Sequence, residues 1–274
     1  MPHPIELTLQ NKLITLDKQI VMFKDLGLID YQAAWDYQEM LFQKNVGIKS
    51  ILRNRELVNS NLPFENGAES VITELSSKHE AVPVTQHYFL ICEHSPVLTL
   101  GKSGHAKNIL ISEEEMAQKG IQYFKTNRGG DITFHGPQQI VGYPIIDLEK
   151  FYTDIGKYLR SLEEVIILTL QEYGLKGERS KGETGVWLDA GIHGSERKIC
   201  AMGVRCSRWI TMHGFAFNVN TNLSYFDTIV PCGIENKKIT SLQKELNREV
   251  DFEDAKNKVK ANFEKVFAVA LRLM

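Results

Sequence analysis

Cys232 stands in the run TIVPCGIENKK (228–238), with a proline before it and a glycine after it. Proline has no N–H and glycine no side chain, so the run reads as loop rather than as the interior of a helix or strand. A thiol that only fills a core usually lies in an apolar stretch, and this one does not. The nucleophilic form is the thiolate. A free thiol ionises near pH ~8.5, so it needs a neighbouring base or cation to act at neutral pH. Lys198, His135 and His213 are the candidates. Lys198 opens the apolar run KICAMG: it is either a solvated strand end or a partly buried amine able to serve as a base. His135 closes RGGDITFHGPQQ (128–139), in which Gly129 and Gly130 let backbone approach a ligand closely. The plainer reading of that stretch is a tight hairpin with an incidental Arg128 and His135. For Cys232 the plainer reading is an inert loop cysteine.

The elements that must position these groups follow from periodicity. HYFLICE, PVLTLG, IQYFK, DITFH and IVGYPIIDL have strand length and composition, and TNRGG and GPQQ separate the last three. TGVWLDA, KICAMGVRC and HGFAFNVN are three more strands. The clearest helix is 153–173, where Ile155, Tyr158, Leu159, Leu162, Ile166, Leu170 and Tyr173 share a face and Gly174 stops it. LIDYQAAWDYQEMLFQKNVG predicts a helix capped by Asp30 and ended by Gly47, and ITSLQKEL a short one with Thr240 and Gln243 at capping-box spacing. FEDAKNKVKANFEKVFAVALRLM reads as a terminal amphipathic helix. The pattern is α+β (mixed α/β): a single catalytic domain over 23–274, a central β-sheet flanked by helices, an N-terminal extension at 1–22 and a polar insertion near 53–84.

Bulk properties narrow the class. With 274 residues, 43% hydrophobic and 24% charged, the chain can bury a full core. A net charge of -2 gives no general attraction to nucleic acid or to a membrane. No apolar run approaches the ~20 residues of a membrane span, and no signal peptide is evident. Cys92, Cys200, Cys206 and Cys232 lack C-x-x-C spacing, so zinc and a disulfide framework are poorly supported and a reducing cytoplasm is the expected compartment.

Three stretches together, RGGDITFHGPQQIVGYPIIDL, GVW…KICAMGVRCSRWITMHGFAFNVN and IVPCGI…ITSL, resemble the lipoyl(octanoyl) transferases. DYQAAWDYQ and EHSPVLTLG fit the same family, so the resemblance covers most of the chain from about Leu26 to Leu246. It implies an α/β catalytic fold shared with biotin- and lipoate-protein ligases. It implies transfer of an octanoyl (or lipoyl) group from acyl carrier protein to a lysine of lipoyl domains, those of 2-oxoacid dehydrogenases and of the glycine cleavage H protein, with no cofactor and no metal. Cys232 matches the family's acyl-accepting cysteine and Lys198 the lysine that activates it. Arg128, Gly129, Gly130, Asp131, Ile132, Thr133, Phe134 and His135 match a substrate-binding stretch, as do Ala201, Met202, Gly203 and Gly214, Phe215, Ala216. The family's His-Gly-Pro-Gly reads His-Gly-Pro-Gln here, and Gln138 therefore bears on pocket shape. Lys237, Lys238 and Lys244 could form a local basic patch for an acidic carrier. The rival reading is an ATP-dependent lipoate- or biotin-protein ligase of the same fold, which has no use for a nucleophilic cysteine. A non-catalytic acyl-binding protein would need neither Cys232 nor Lys198.

Overall fold

The computed structural model describes residues 18–59, 82–230 and 238–274. Cys232, Lys237 and most of the polar insertion lie outside them. Among the described residues, no helix is long and apolar enough to cross a membrane.

The core is a mixed sheet built from β1 (Gln19–Ile29), β2 (His87–His94), β6 (Gln139–Ile145), β7 (Val186–Leu188), β8 (Arg197–Ser207), β9 (Ile210–Asn218), β10 (Lys238–Ile239) and β11 (Val269–Leu273). Its order is β10-β8-β9-β6-β2-β1-β11, with β7 paired to β8. Sequence-adjacent β8 and β9 pair antiparallel through the Arg208–Trp209 turn, whereas β1 runs parallel to β2 and β11. A smaller sheet of β3 (Val97–Leu100), β4 (Gln122–Lys125) and β5 (Ile132–His135), ordered β4-β3-β5, stands beside it.

Each face of the large sheet is apolar and needs cover. On one face lie α3 (Ile155–Glu172) and α5 (Phe252–Phe267), packing Tyr158, Leu162, Ile166, Val259 and Phe263 onto Phe89, Ile140, Ile199 and Phe217. On the other lies α1 (Tyr31–Asn59), which brings Ala34, Leu41 and Phe42 onto Leu90, Val141 and Met212. The small sheet packs with α2 (Glu113–Gln118) around Leu98, Met116, Ile121 and Phe134.

The strand expectations and the 153–173 helix are borne out. Asp154 caps that helix through the Lys157 N–H (2.9 Å), and Gly174 ends it at φ +75°. Asp30 caps α1 as expected, accepting from Ala33 N–H at 3.1 Å. Other expectations are corrected. The stretch set aside as an extension, 1–22, already contains the start of β1, so the domain begins at least by Gln19. Gly47 does not end α1, which runs on to Asn59 and so enters the stretch assigned to the polar insertion. Beyond Gly47, Lys49 binds Asp147 (2.9 Å) and Glu149, anchoring the added turns to the body of the protein. The cap of α4 (Leu242–Leu246) is Ser241, which accepts from Lys244 N–H; Thr240 instead donates to Glu245. The terminal helix stops at Ala268, held at φ +54°, and the last residues form β11 along β1.

Gly47 is exposed in a helix interior, and a Cβ there would meet nothing within 4 Å. Replacing it by alanine limits the unfolded chain and improves helix propensity, so Gly47→Ala should add about 0.5–1 kcal/mol of stability. A urea midpoint lower than wild type would contradict a continuous α1.

Candidate active site

The strands leave one side of β6, β8 and β9 facing β5 across a cavity of about 460 Å³, a size suited to a small molecule or an acyl arm. Of the described residues that match the family's activating lysine and substrate-binding stretches, all line it with one exception. Arg128–Thr133 and His135 supply one wall, Ala201–Gly203 and Gly214–Ala216 the other, and Lys198 stands among them. The exception is Phe134. Side chains alternate along β5, so its ring turns away and stacks on Tyr225 at 4.7 Å, in the small-sheet core. Gln138 is not a wall residue either. It occupies the turn after Pro137 at φ +61°, the left-handed region that favours glycine. Its N–H donates to Glu93 (2.6 Å) and its carbonyl accepts from Asn220 N–H, so backbone bonds hold the turn with glutamine in place. Its effect on pocket shape is thus indirect.

Most polar members of the Arg128–His135 stretch brace the loop. Arg128 is buried and turns its guanidinium inward, donating to Thr99 O (2.6 Å), Thr99 Oγ1 (2.9 Å) and Gly129 O (3.0 Å). Asp131 accepts from Asn108 Nδ2 (2.6 Å) and from Ile132 N–H (2.7 Å). Gly129 N–H donates to Val204 O (2.9 Å), so this amide is committed to the fold and is not the oxyanion donor that a Gly-Gly turn suggests. The loop can lie this close to β8 because Gly203 has no side chain: a Cβ there would fall 2.6 Å from Gly129 O.

Lys198 is 5% exposed, and its Nζ lies over the Trp187 ring at 4.5 Å from the centroid. β10 pairs beside it: Ile239 is opposite Lys198, and Thr240 N–H donates to Lys198 O (2.9 Å). Asn218 Nδ2 holds Thr240 O from the other side (2.9 Å). Phe226, before the segment that carries Cys232, and Ile239, after it, both line the cavity. Lys238 and Lys244 are exposed.

The histidines are ill suited to be the base. Burial pushes His213 down to about 3 and His94 to about 4, and it holds His135 well below its ordinary value. The cationic Arg128 guanidinium presses His135 and His213 further the same way. Hydrogen bonds suit the neutral rings. His213 Nε2–H donates to Asn127 Oδ1 (2.7 Å), and His94 Nε2 accepts from Tyr143 OH (2.8 Å). The described thiols are also silent. Burial raises Cys92 and Cys200 well above the usual range and lifts half-buried Cys206. Lys198 pulls Cys200 in the opposite direction, but burial outweighs it.

Further wall residues went unremarked in the sequence: Tyr31, Gln139, Val141, Tyr143, Glu183, Thr184 and Asn218 among them. Gln139, Val141 and Tyr143 alternate along β6, so the period of the strand would have found them once one was placed. Nothing local marks Glu183 or Thr184.

Residues 69–264 match the model of the lipoyl protein ligase A/B catalytic domain. An octanoyltransferase of Christiangramia forsetii is 53% identical over 92% of this chain and 97% of the relative. One from Flavobacterium johnsoniae is 53% identical over 87% and 93%. Among solved structures, lipoate-protein ligase A bound with ATP aligns with a TM-score of 0.61 at 11% identity, covering 94% of this chain and 89% of that one. A bipartite lipoate protein ligase from Thermoplasma acidophilum, described with its E2 lipoyl domain, aligns at 0.60 and 14%, covering 94% and 86%. At such identities the likeness is one of fold, and it bears out the lipoate-ligase architecture.

The neutral histidines make stability depend on pH. In the unfolded chain an imidazole gains its proton near pH 6.5, whereas His87 and His94 stay neutral until about pH 4 when folded. The unfolded state therefore binds more protons in that window. Stability should be full above pH 6.5 and fall steadily as pH drops towards 4. Urea titrations from pH 7.5 to 4.5 check this; a flat profile would contradict buried neutral histidines.

Proposed function

Because this chain belongs to the lipoyl protein ligase A/B catalytic family, where its relatives are octanoyltransferases, we propose that it transfers octanoyl groups through a thioester on Cys232. It is an acyltransferase of lipoate biosynthesis. The finer reading concerns residues and partners. The donor is octanoyl-acyl carrier protein, and the acceptors are lysines on lipoyl domains of 2-oxoacid dehydrogenases and on the glycine cleavage H protein. The compartment is the cytoplasm, where thiols stay reduced.

The observation that carries the mechanism is the pairing of Ile239 with Lys198 at the cavity wall, so that the chain returning from Cys232 re-enters the sheet beside that lysine. Lys198 removes the thiol proton of Cys232, and the thiolate attacks the octanoyl carbonyl on the carrier's arm. The tetrahedral intermediate collapses, the carrier's sulfur leaves, and Lys198 returns the proton to it. The acyl group is now a thioester on Cys232. The amine of the acceptor lysine then attacks this carbonyl and expels the Cys232 sulfur, which regains a proton by way of Lys198. One thioester is exchanged for another and then for an amide, so no nucleotide is consumed. Val141, Phe215 and Ala216 supply apolar wall for the acyl tail. Lys238 and Lys244 offer exposed positive charge near the return of the chain for an acidic carrier, and Lys237 lies outside the described residues. The ligase alternative rests on shared fold alone, while the relatives at high identity are octanoyltransferases.

Purified protein with octanoyl-carrier and an apo lipoyl domain, without ATP or magnesium, should give transfer. Transfer that appears only on adding ATP would replace this reading by the ligase. Lys198→Ala should slow transfer by ~10²–10⁴-fold, the usual worth of a general base. Lys198→Arg should not rescue it, because a guanidinium keeps its proton. Wild-type rates in either variant would remove Lys198 from the mechanism.

A further inference from the structure

Glu163 lies on α3 with its carboxylate fully buried, away from the cavity wall. A buried carboxylate is costly unless both oxygens are satisfied. Its Oε2 takes Arg160 Nη1 (2.6 Å) and Arg179 Nε (3.0 Å). Its Oε1 accepts the N–H of Gly185 at 3.0 Å. Gly185 is held at φ +120°, open only to glycine, and a Cβ there would fall 2.5 Å from Cys200 O and 3.6 Å from Lys198 Cε. The turn that Glu163 pins therefore lies directly against the stem of Lys198. Two residues on, Trp187 carries the ring beneath Lys198 Nζ, and the β7–β8 register slips between Val186 and Trp187. Such a bulge re-aims a side chain. Glu183 and Thr184, just before Gly185, form cavity wall.

We infer that Glu163 is a positioning residue for acyl transfer: through the Gly185 N–H it fixes the turn that aims Lys198 into the cavity. The inference rests on the reading of Lys198 as the base. The two arginines neutralise the carboxylate through Oε2, and Oε1 is left for the turn; all three partners are donors, so the site needs two acceptor oxygens and an amide offers only one. Misplacing a catalytic group by about 1 Å is enough to cost ~10²-fold.

The test is steady-state transfer from octanoyl-carrier to an apo lipoyl domain by the full chain. Glu163→Met keeps the volume and removes the acceptor. Glu163→Gln keeps the shape but turns an NH2 donor toward either the two guanidinium groups or the Gly185 N–H. Both are made in wild-type and Lys198→Ala backgrounds. Glu163→Met should lower kcat by ~10–100-fold with KM for octanoyl-carrier within about threefold. Glu163→Gln should lower kcat as well, and neither variant should add further loss to Lys198→Ala. Arg179→Ala, which removes one Oε2 partner together with the bonds of Arg179 to Arg160 O and Glu164 but leaves the Gly185 contact, serves as the control and should keep kcat. Undiminished kcat in Glu163→Met, or an equal drop in the Lys198→Ala background, would overturn the inference. Loss in Lys198→Ala with full activity in Glu163→Met sinks the positioning role alone; full activity in Lys198→Ala sinks the base and, with it, this inference. Should Glu163→Met not fold, Gly185→Ala enters the same cycle and has to give the same pattern.

Discussion

The buried guanidinium of Arg128 is the constraint on which the site depends. Arginine keeps its charge at any working pH, and at 8% exposure that charge has little water to face. Three hydrogen bonds to Thr99 and Gly129 hold it, and they tie the loop to β3. Its field acts on what lies nearby. Burial already favours neutral imidazoles at His135 and His213, and a fixed cation makes protonation harder still. On the function proposed above, the proton acceptor is instead the amine of Lys198, which stands on the cavity wall.

The second constraint is how closely backbones meet. The loop after Arg128 lies between Gly101 and Gly203, where a Cβ would come within 2.3 Å of Gly130 O and 2.6 Å of Gly129 O. Lys102 N–H and Ser103 N–H bond the carbonyls of Arg128 and Gly130 from one side, while Gly129 N–H bonds Val204 O on the other. These contacts weld the small sheet to the large one along the cavity. The wall opposite is the antiparallel β6–β9–β8 run, in which Val141, Ala216 and Ala201 are register partners. Small residues at two of these three positions leave space beside the strands. A rigid wall with room in front of it suits an acyl chain held at fixed distance from a nucleophile.

Much of this was legible in the sequence because the strands alternate and the RGGDITFH, KICAMG and GFA runs are long and ordered. Lys198 and the cavity wall follow from the family resemblance that those runs carry, not from periodicity alone. Phe134 belongs to a matched stretch but not to the cavity wall, because the period of two puts it on the opposite face from Thr133 and His135. β1 is hard to read from the sequence because its burial alternates only up to Phe23, after which Lys24, Asp25 and Gly27 interrupt the apolar run. Gly47 looked like a stop because what carries α1 past it is the ion pair of Lys49 with Asp147, about a hundred residues away in sequence. The link from Glu163 to Gly185 is hidden for the same reason. It spans two elements, and no local pattern records it.

The central claim is a covalent acyl-enzyme on Cys232, and trapping it is the most direct measurement. The protein is mixed with octanoyl-carrier in the absence of any acceptor, quenched in acid and weighed intact, then digested to locate the added mass. The account predicts one octanoyl group per chain, on the peptide that holds Cys232, discharged when an apo lipoyl domain is added. A protein that transfers octanoyl at full rate without ever carrying it, or that carries it on another residue, would contradict the account.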